Sequence, residues 1–477
     1  MQALLLLINI VVLIVFSVFN NSITDDFKIA FYLILYFSSL LTLFIKKKKF
    51  NPITPSFFFI LGFIIVFFQV PIEYLFNKDF IVKNFSSYIF NKEVFPLAVG
   101  YASLCGICFN IGFSFNKKES KKSPRNINKK SIYDNISIKP FVFLSLIFFI
   151  VYIYVTPVNY FLGGYSYYQL EAENEILLSN RIQGYFFKMI LISNALILWQ
   201  TKRSKKSINS FFDFIKLYPK ILIIIQILYI ILILMIGDRG PLFTIGLPII
   251  LMYFSLREKR LKIIPFLGLM FIAGFFLSII KITNIDFTKG DFLNAFLEAK
   301  EKFTISEKSE SLFPYTVELA GSFFAYTVAW SAWLSGKATY GLSLFMNILM
   351  TIPYGVSFTQ NLFDIRPEYF NPALLVTQHS GIIGYGIGSD CIGSLILDLS
   401  PIITPLAFIL FGSFVDSLDK IIYEKRPHNL FLMLTGIIFS SMAFVMGRAS
   451  IYTFIGSSIF CIIFIKLISL FPIFQKR

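Results

Sequence analysis

Two short turns between apolar runs each carry one arginine, Gly237-Asp238-Arg239-Gly240 and Gly447-Arg448. A guanidinium at the edge of a bilayer is costly unless an anion needs it, and its planar fork suits phosphate or carboxylate. The plain structural alternative for Arg239 is an ion pair with its neighbour Asp238. Arg181 and Arg366 are two further arginines that the charge pattern of the chain places on the same side. Histidine is scarcer still, with only His379 and His428. His379 precedes Ser380 and Gly381, with Gly384, Gly386, Gly388 and Gly393 behind it, a stretch that allows close backbone approach to a ligand. Imidazole titrates near neutral pH and suits general-base work. Glu318, at the start of an apolar stretch, is the reserve base, whereas His428 lies among Lys and Arg as a solvated bystander.

The segment 157–184 gathers Tyr160, Tyr165, Tyr167 and Tyr168, then Glu171, Glu173, Glu175 and Arg181. Such tyrosines form an aromatic belt at a membrane interface or stack on sugar rings. Cys105 and Cys108 have the spacing of a metal or redox pair, yet they sit inside an apolar span without a second pair. Helix packing is the expected role, and with Cys391 and Cys461 they make no disulfide framework. No metal site is expected.

The elements that must position these residues are membrane helices. Of 477 residues 56% are hydrophobic, with 59 Phe, and the mean hydropathy is +0.73. No soluble core absorbs that much apolar surface. Apolar runs lie at 1–19, 28–45, 56–76, 94–115, 140–155, 185–199, 221–236, 241–254, 263–280, 402–415, 430–446 and 451–470. The expectation is an all-α, polytopic bundle of about twelve spans, a single domain over residues 1–477.

Most of the 43 basic residues fall at 46–49, 117–139, 202–220, 257–262, 420–426 and 466–477, at every second connection. The positive-inside rule then places both termini in the cytoplasm and the four arginines outside. The +16 charge reads as topology and not as a nucleic-acid footprint. The first run lacks a basic leader and a small-residue cleavage site, so an uncleaved span is expected. Residues 283–400 form a large external loop whose stretches 319–334 and 342–352 lie in the interface or dip into the bilayer.

Over 352–395 the order of Ile352-Pro353-Tyr354, Arg366-Pro367, Asn371, His379-Ser380-Gly381 and Ile392-Gly393-Ser394-Leu395 resembles the Wzy-type O-antigen and repeat-unit polysaccharide polymerases of bacterial plasma membranes. Gly237-Asp238-Arg239-Gly240 and Gly447-Arg448 are similar to arginine-bearing outer turns of that family. The resemblance implies a GT-C-like fold in the bacterial inner membrane. It also implies transfer of an undecaprenyl-pyrophosphate-linked glycan chain onto the next lipid-linked repeat unit, without nucleotide sugar, metal or other cofactor. A leaving pyrophosphate develops charge that fixed guanidinium groups stabilise. Arg239 and Arg448 are thereby assigned to pyrophosphate, and Arg366 and Arg181 to pyrophosphate or an acidic sugar. His379 takes the acceptor hydroxyl, with Glu318 in reserve, and Asp238, Asn371, Ser380, Tyr167 and Tyr168 line the substrate. Implied partners are the lipid-linked oligosaccharides, the bilayer, a chain-length regulator and a flippase. An O-antigen ligase or a lipid-linked oligosaccharide flippase are the competing readings, with a polyprenyl-phosphate-sugar transferase or a secondary transporter behind them.

Overall fold

The computed structural model describes residues 9–13, 24–46, 51–81, 94–115, 132–163, 173–205, 208–236, 240–257, 268, 310–314, 316–349, 359, 361–363, 369, 371–381 and 387–471. Every regular element among them is helical. The first apolar runs fold as α1 (Asp25–Lys46), α2 (Pro55–Phe76), α3 (Val94–Phe115), α4 (Lys139–Val155), α5 (Glu173–Arg203), α6 (Lys220–Ile236) and α7 (Gly240–Arg257). Four short helices follow: α8 (Val317–Ala320), α9 (Phe323–Leu334), α10 (Leu342–Leu349) and α11 (Pro372–Ser380). The chain then forms α12 (Cys391–Tyr423), α13 (Leu430–Met442), a 3-10 turn at Met446–Arg448 and α14 (Thr453–Ser469).

In hydrocarbon every backbone N–H and C=O must be satisfied within the chain, so long apolar runs fold as helices. Their starts are set by polar caps: Thr54 Oγ1 accepts from the Phe57 amide at 3.3 Å with Pro55 in the first turn, and Asn429 Oδ1 accepts from Leu432 at 3.1 Å. Six helices, α1, α2, α3, α5, α7 and α12, are long and apolar enough to cross a membrane, and α4, α6, α13 and α14 are apolar but shorter. Ile221, Ile224, Leu228 and Ile231 leave an exposed apolar stripe along α6, the face that lipid covers. These are the helices of a multi-pass membrane protein. The runs at 1–19 and 263–280 fall almost wholly outside the described residues.

The most extensive helix pair is α3 with α12. It rests on two glycines facing each other's backbone. A Cβ at Gly112 would collide with the Ile409 carbonyl oxygen, and one at Gly412 would collide with that of Phe109. Small residues at such crossings let backbones meet where lipid gives no hydrophobic drive. Gly62 of α2 meets the Phe444 carbonyl in the same way, which brings the turn after α13 down onto α2. Around these crossings Phe59 packs its ring on Phe109 at 4.8 Å and on Phe411 at 5.2 Å.

The basic helix ends share one face of the bundle. Lys202 of α5 donates to the Glu424 carbonyl at 2.9 Å, and Ser255 of α7 to that of Ile422 at 2.6 Å. The Ser56 amide at the start of α2 reaches Asp419 near the end of α12 at 3.2 Å. Arg203 pairs with Asp134 at 2.9 Å. The opposite face joins the other ends: Lys78 lies 3.5 Å from Asp26, and Thr156 bonds Ser179 at 2.6 Å. The alternation read from charge is thus the alternation of the helices in space.

Helix α12 begins earlier than the run at 402–415 suggests, because two helical pieces meet at Ser400 (φ 74°, ψ 158°). Ser400 precedes Pro401, which supplies no N–H and disfavours helical geometry before it. This backbone region is nearly reserved for glycine and costs on the order of 1–3 kcal/mol. Side chains bond the carbonyls here: Tyr101 of α3 donates at 2.6 Å to Pro401 O, whose helical donor is missing because residue 405 is also proline, and Thr404 Oγ1 donates to Ser400 O at 2.9 Å.

Substituting Gly412→Leu should therefore cost about 3 kcal/mol through overpacking, read as a lowered melting temperature in detergent. Gly246 of α7, with open space where its Cβ would be, is the control: Gly246→Ala should leave stability unchanged or raise it by up to about 1 kcal/mol. Equal melting temperatures for wild type and Gly412→Leu would contradict the close crossing.

Candidate functional site

On the face opposite the basic ends, the segment 310–349 is fastened to the bundle by carboxylates. Glu73, 1% exposed near the end of α2, accepts from the amides of Leu312 and Phe313, both at 3.2 Å, and from the Ser311 hydroxyl. One turn earlier, Gln69 donates to the Phe313 carbonyl at 3.2 Å and accepts from Thr316 at 2.6 Å. Asp398, just before the break in α12, is buried and accepts from the hydroxyls of Thr339 and Ser343. The Leu397 carbonyl accepts from the Thr339 amide at 2.9 Å. The positive φ of Tyr340 (49°) and Gly341 (82°) makes the tight entry into α10. Instead of lying along the rim, α9 enters the bundle: Phe323 and Tyr326 are fully buried, and the Tyr326 hydroxyl reaches the Ala98 carbonyl at 2.9 Å.

His379 is held by this layer. Helix α11 starts at Pro372 with Asn371 Oδ1 accepting from the Ala373 amide at 3.1 Å. It ends at Gly381, whose φ of 69° makes a left-handed cap. Leu375 and Val376 bury against Ala325, Val328, Ala329 and Ala332 of α9 and Leu397 of α12. That packing sets His379 beside α9, with Nε2 3.2 Å from Ser331 Oγ. Burial, and then the Lys337 charge, hold the imidazole below the ordinary histidine pKa. The ring is neutral at neutral pH and keeps a lone pair for a proton.

The remaining candidates divide. Arg448 closes the 3-10 turn, is exposed, and sits where that turn packs on α2 and α12. The turn is longer than the minimal hairpin expected, because α13 stops at Met442 and residues 443–445 drop onto Gly62. Glu318 lies half-exposed in the first turn of α8, which packs on α2. Arg181 is exposed near the start of α5, whose neighbours are α4, α7, α13 and α14. Among the described residues neither Arg181 nor Arg448 has a carboxylate partner, and no hydrogen bond or ion pair joins either of them to His379. Helices α2 and α12 thus bring the elements of His379, Glu318 and Arg448 into one layer, while Arg181 stands on a different helix group. Ser380 Oγ donates to the Thr377 carbonyl at 2.7 Å, and Asn371 uses its side-chain oxygen as a cap. Gly381 and Gly393 serve local geometry, a helix cap and close packing on Ala329. Arg239, Asp238, Arg366, Tyr167 and Tyr168 lie outside the described residues.

Three buried carboxylates also shape this region and stand outside the residues expected from sequence. Glu73, Asp398 and Asp390 stand in apolar surroundings, and that alone marks them. Asp390 caps α12 by accepting from Ile392 at 2.9 Å and Gly393 at 2.6 Å, while burial pushes its carboxyl up to about 7. Lys188 was absorbed into an apolar run as well. Its ammonium lies 5.0 Å from the Tyr185 ring and 4.7 Å from the Phe460 ring. A lysine at mid-span costs about 2.5–3.5 kcal/mol, and ring faces return roughly 0.5–2 kcal/mol.

Removing Asp398 should release the outer helices without unfolding the bundle. Asp398→Ala leaves Thr339 and Ser343 without an acceptor and should cost about 3 kcal/mol locally. Hydrogen exchange should then show faster exchange over 339–349 and unchanged protection in α3; unaltered exchange over 339–349 would refute the anchoring role. Comparison of the chain with protein-family models, curated proteins and solved structures finds no match.

Proposed function

We propose that the chain is a membrane glycosyltransferase that polymerises lipid-linked repeat units at the outer face of the bacterial plasma membrane. It resembles the Wzy-type polymerases and would have about twelve spans, a GT-C-like arrangement and cytoplasmic termini. The observation that carries this reading is the pairing of chemistries in one layer opposite the basic ends. A neutral, half-buried His379 is positioned by α9 and α12, and an Arg448 without a carboxylate partner among the described residues by α2 and α12.

In the proposed reaction a hydroxyl oxygen of the acceptor repeat unit attacks the anomeric carbon of the donor glycan. The bond from that carbon to the carrier pyrophosphate breaks, and its electron pair leaves with the undecaprenyl pyrophosphate. His379 takes the hydroxyl proton and returns it to water. Arg448, with Arg239 and Arg366, holds the departing diphosphate. Donors aimed at charge that develops in the transition state are each worth about 10²–10³ in rate, and a positioned base about 10²–10⁴. Arg181 greets an anionic part of the substrate at the rim of α5.

Reconstitution with synthetic undecaprenyl-pyrophosphate-linked repeat units tests this directly. Wild type should extend them, with polymerisation down about 10²-fold or more in His379→Ala and Arg448→Ala. Arg448→Lys keeps charge without the fork and should fall between. Full polymerisation by both alanine variants would remove the assignment. Transfer to lipid A-core with no elongation would mark a ligase.

The depressed histidine pKa fixes the sign of the pH dependence. The base form is complete at neutral pH and is lost as pH falls through that depressed pKa, below the ordinary value of about 6.5. The rate should hold from neutral down past that value before it drops, and the acid limb should vanish in the residual activity of His379→Gln. An unchanged acid limb in that variant would assign the proton to another group.

A further inference from the structure

Lys188 is a cation in the wrong solvent for its charge. It lies fifteen residues above Arg203, which pairs at the basic face, so its Cα is about 22 Å up the helix axis from that end. Phe460, which its ammonium touches, is near the middle of α14. Side chains lean toward the helix N-terminus, which for α5 is the end away from the basic face. The contact with Tyr185, one turn back, agrees with that lean. Among the described residues Lys188 has neither a carboxylate nor a hydrogen-bond partner; the two aromatic faces and the Cys461 thiol are what it meets. Those faces return part of what the ammonium loses on leaving water, and the remainder calls for an anion.

The surroundings are aromatic on one side and open on another. Tyr185 packs on Phe460 at 5.6 Å and stacks on Phe148 of α4 at 5.7 Å, while Phe460 stacks on Phe464 at 5.8 Å. This aromatic wall lies where α4, α5 and α14 meet. Gly184, one turn toward the outer end, has nothing within 4 Å of where its Cβ would stand. Arg181, two turns from Lys188 on the same helix face, is exposed at the mouth. The column Arg181, Gly184, Lys188 therefore runs from the surface into the bilayer as charge, open space and charge.

We infer that this column binds the phosphate of an anionic lipid, with Lys188 as its contact and Arg181 at its entrance. The site is separate from the layer of His379 and Arg448 and shares only Arg181 with the proposed reaction; lipid retention is read without turnover, so its failure is distinguishable from failure of the transfer reaction. The phosphate could ride on a polyprenyl chain or a diacylglycerol, and the arms of one experiment separate the two.

The full-length protein in detergent is incubated with undecaprenyl phosphate, phosphatidylglycerol, undecaprenol or inorganic phosphate and examined by native mass spectrometry. Wild type should retain undecaprenyl phosphate or phosphatidylglycerol at least ten-fold more tightly than Lys188→Met does. Lys188→Arg should retain it, and undecaprenol should not distinguish the three proteins. The tighter of the two anionic lipids names the source. Gly184→Leu, which fills the open space and leaves the ammonium in place, should lose the lipid as well, which keeps the test valid if Lys188→Met folds poorly. Equal retention by wild type, Lys188→Met and Gly184→Leu would overturn the site. Displacement of the lipid by millimolar inorganic phosphate would overturn its lipid-borne character.

Discussion

The contact on which the rest of the molecule depends is the meeting of two backbones, α3 and α12, at Gly112 and Gly412. In lipid there is no hydrophobic drive between helices, so association rests on van der Waals packing, and only glycine lets main chains come this close. With α12 pinned against α3, its outer piece projects past the break at Ser400 and becomes the post to which the outer helices attach. Asp390 caps the start of that piece and Asp398 binds hydroxyls at its end. Helices α9, α10 and α11 all pack on it. A second glycine contact, Gly62 with Phe444, sets the turn of Arg448 on α2. The two crossings fix the relative placement of histidine and arginine.

The layer opposite the basic ends is held largely by carboxylates that accept from hydroxyls and amides, and among the described residues Arg181 and Arg448 have no carboxylate partner. Buried Glu73 and Asp398 each satisfy several donors of the outer segment. A carboxylate in a dry interior is tolerated when its lone pairs are filled in this way. Arg448 stays exposed in that layer, and Arg181 is exposed on the separate α5 group. A membrane protein that spends its acids on its own backbone and leaves guanidinium groups at the rim presents a positive, donor-rich surface. Such a surface suits an anionic ligand arriving from the bilayer plane.

Much of the helical frame was legible in the residues. The run at 94–115 coincides with α3, and 221–236 is α6 less its first residue, because polar or charged connections bound both. The alternation of helix ends was legible too, since lysine clusters mark alternate ends and those ends meet in space. The start of α12 was not: residues 391–400 carry Asp398 and run into Pro401, which reads as loop until the Tyr101 and Thr404 hydroxyls at the break are seen. The anchors Glu73 and Asp398 were hidden for a related reason, as their partners come from distant parts of the chain. His379 was visible as a rare residue, but its neutrality depends on burial beside α9 and on Lys337, which no spacing reveals. Lys188 was hidden by its apolar neighbours, the same feature that makes it costly.

The central claim is that the layer carrying His379 and Arg448 faces away from the cytoplasm. All four native cysteines are buried, so single cysteines introduced at Arg448, Lys337, Lys118 and Lys425 can be probed against a low background. With a membrane-impermeant maleimide on intact spheroplasts, the cysteines at 448 and 337 should label at once, and those at 118 and 425 only after permeabilisation. Labelling in the reverse order would place the layer in the cytosol and contradict the account.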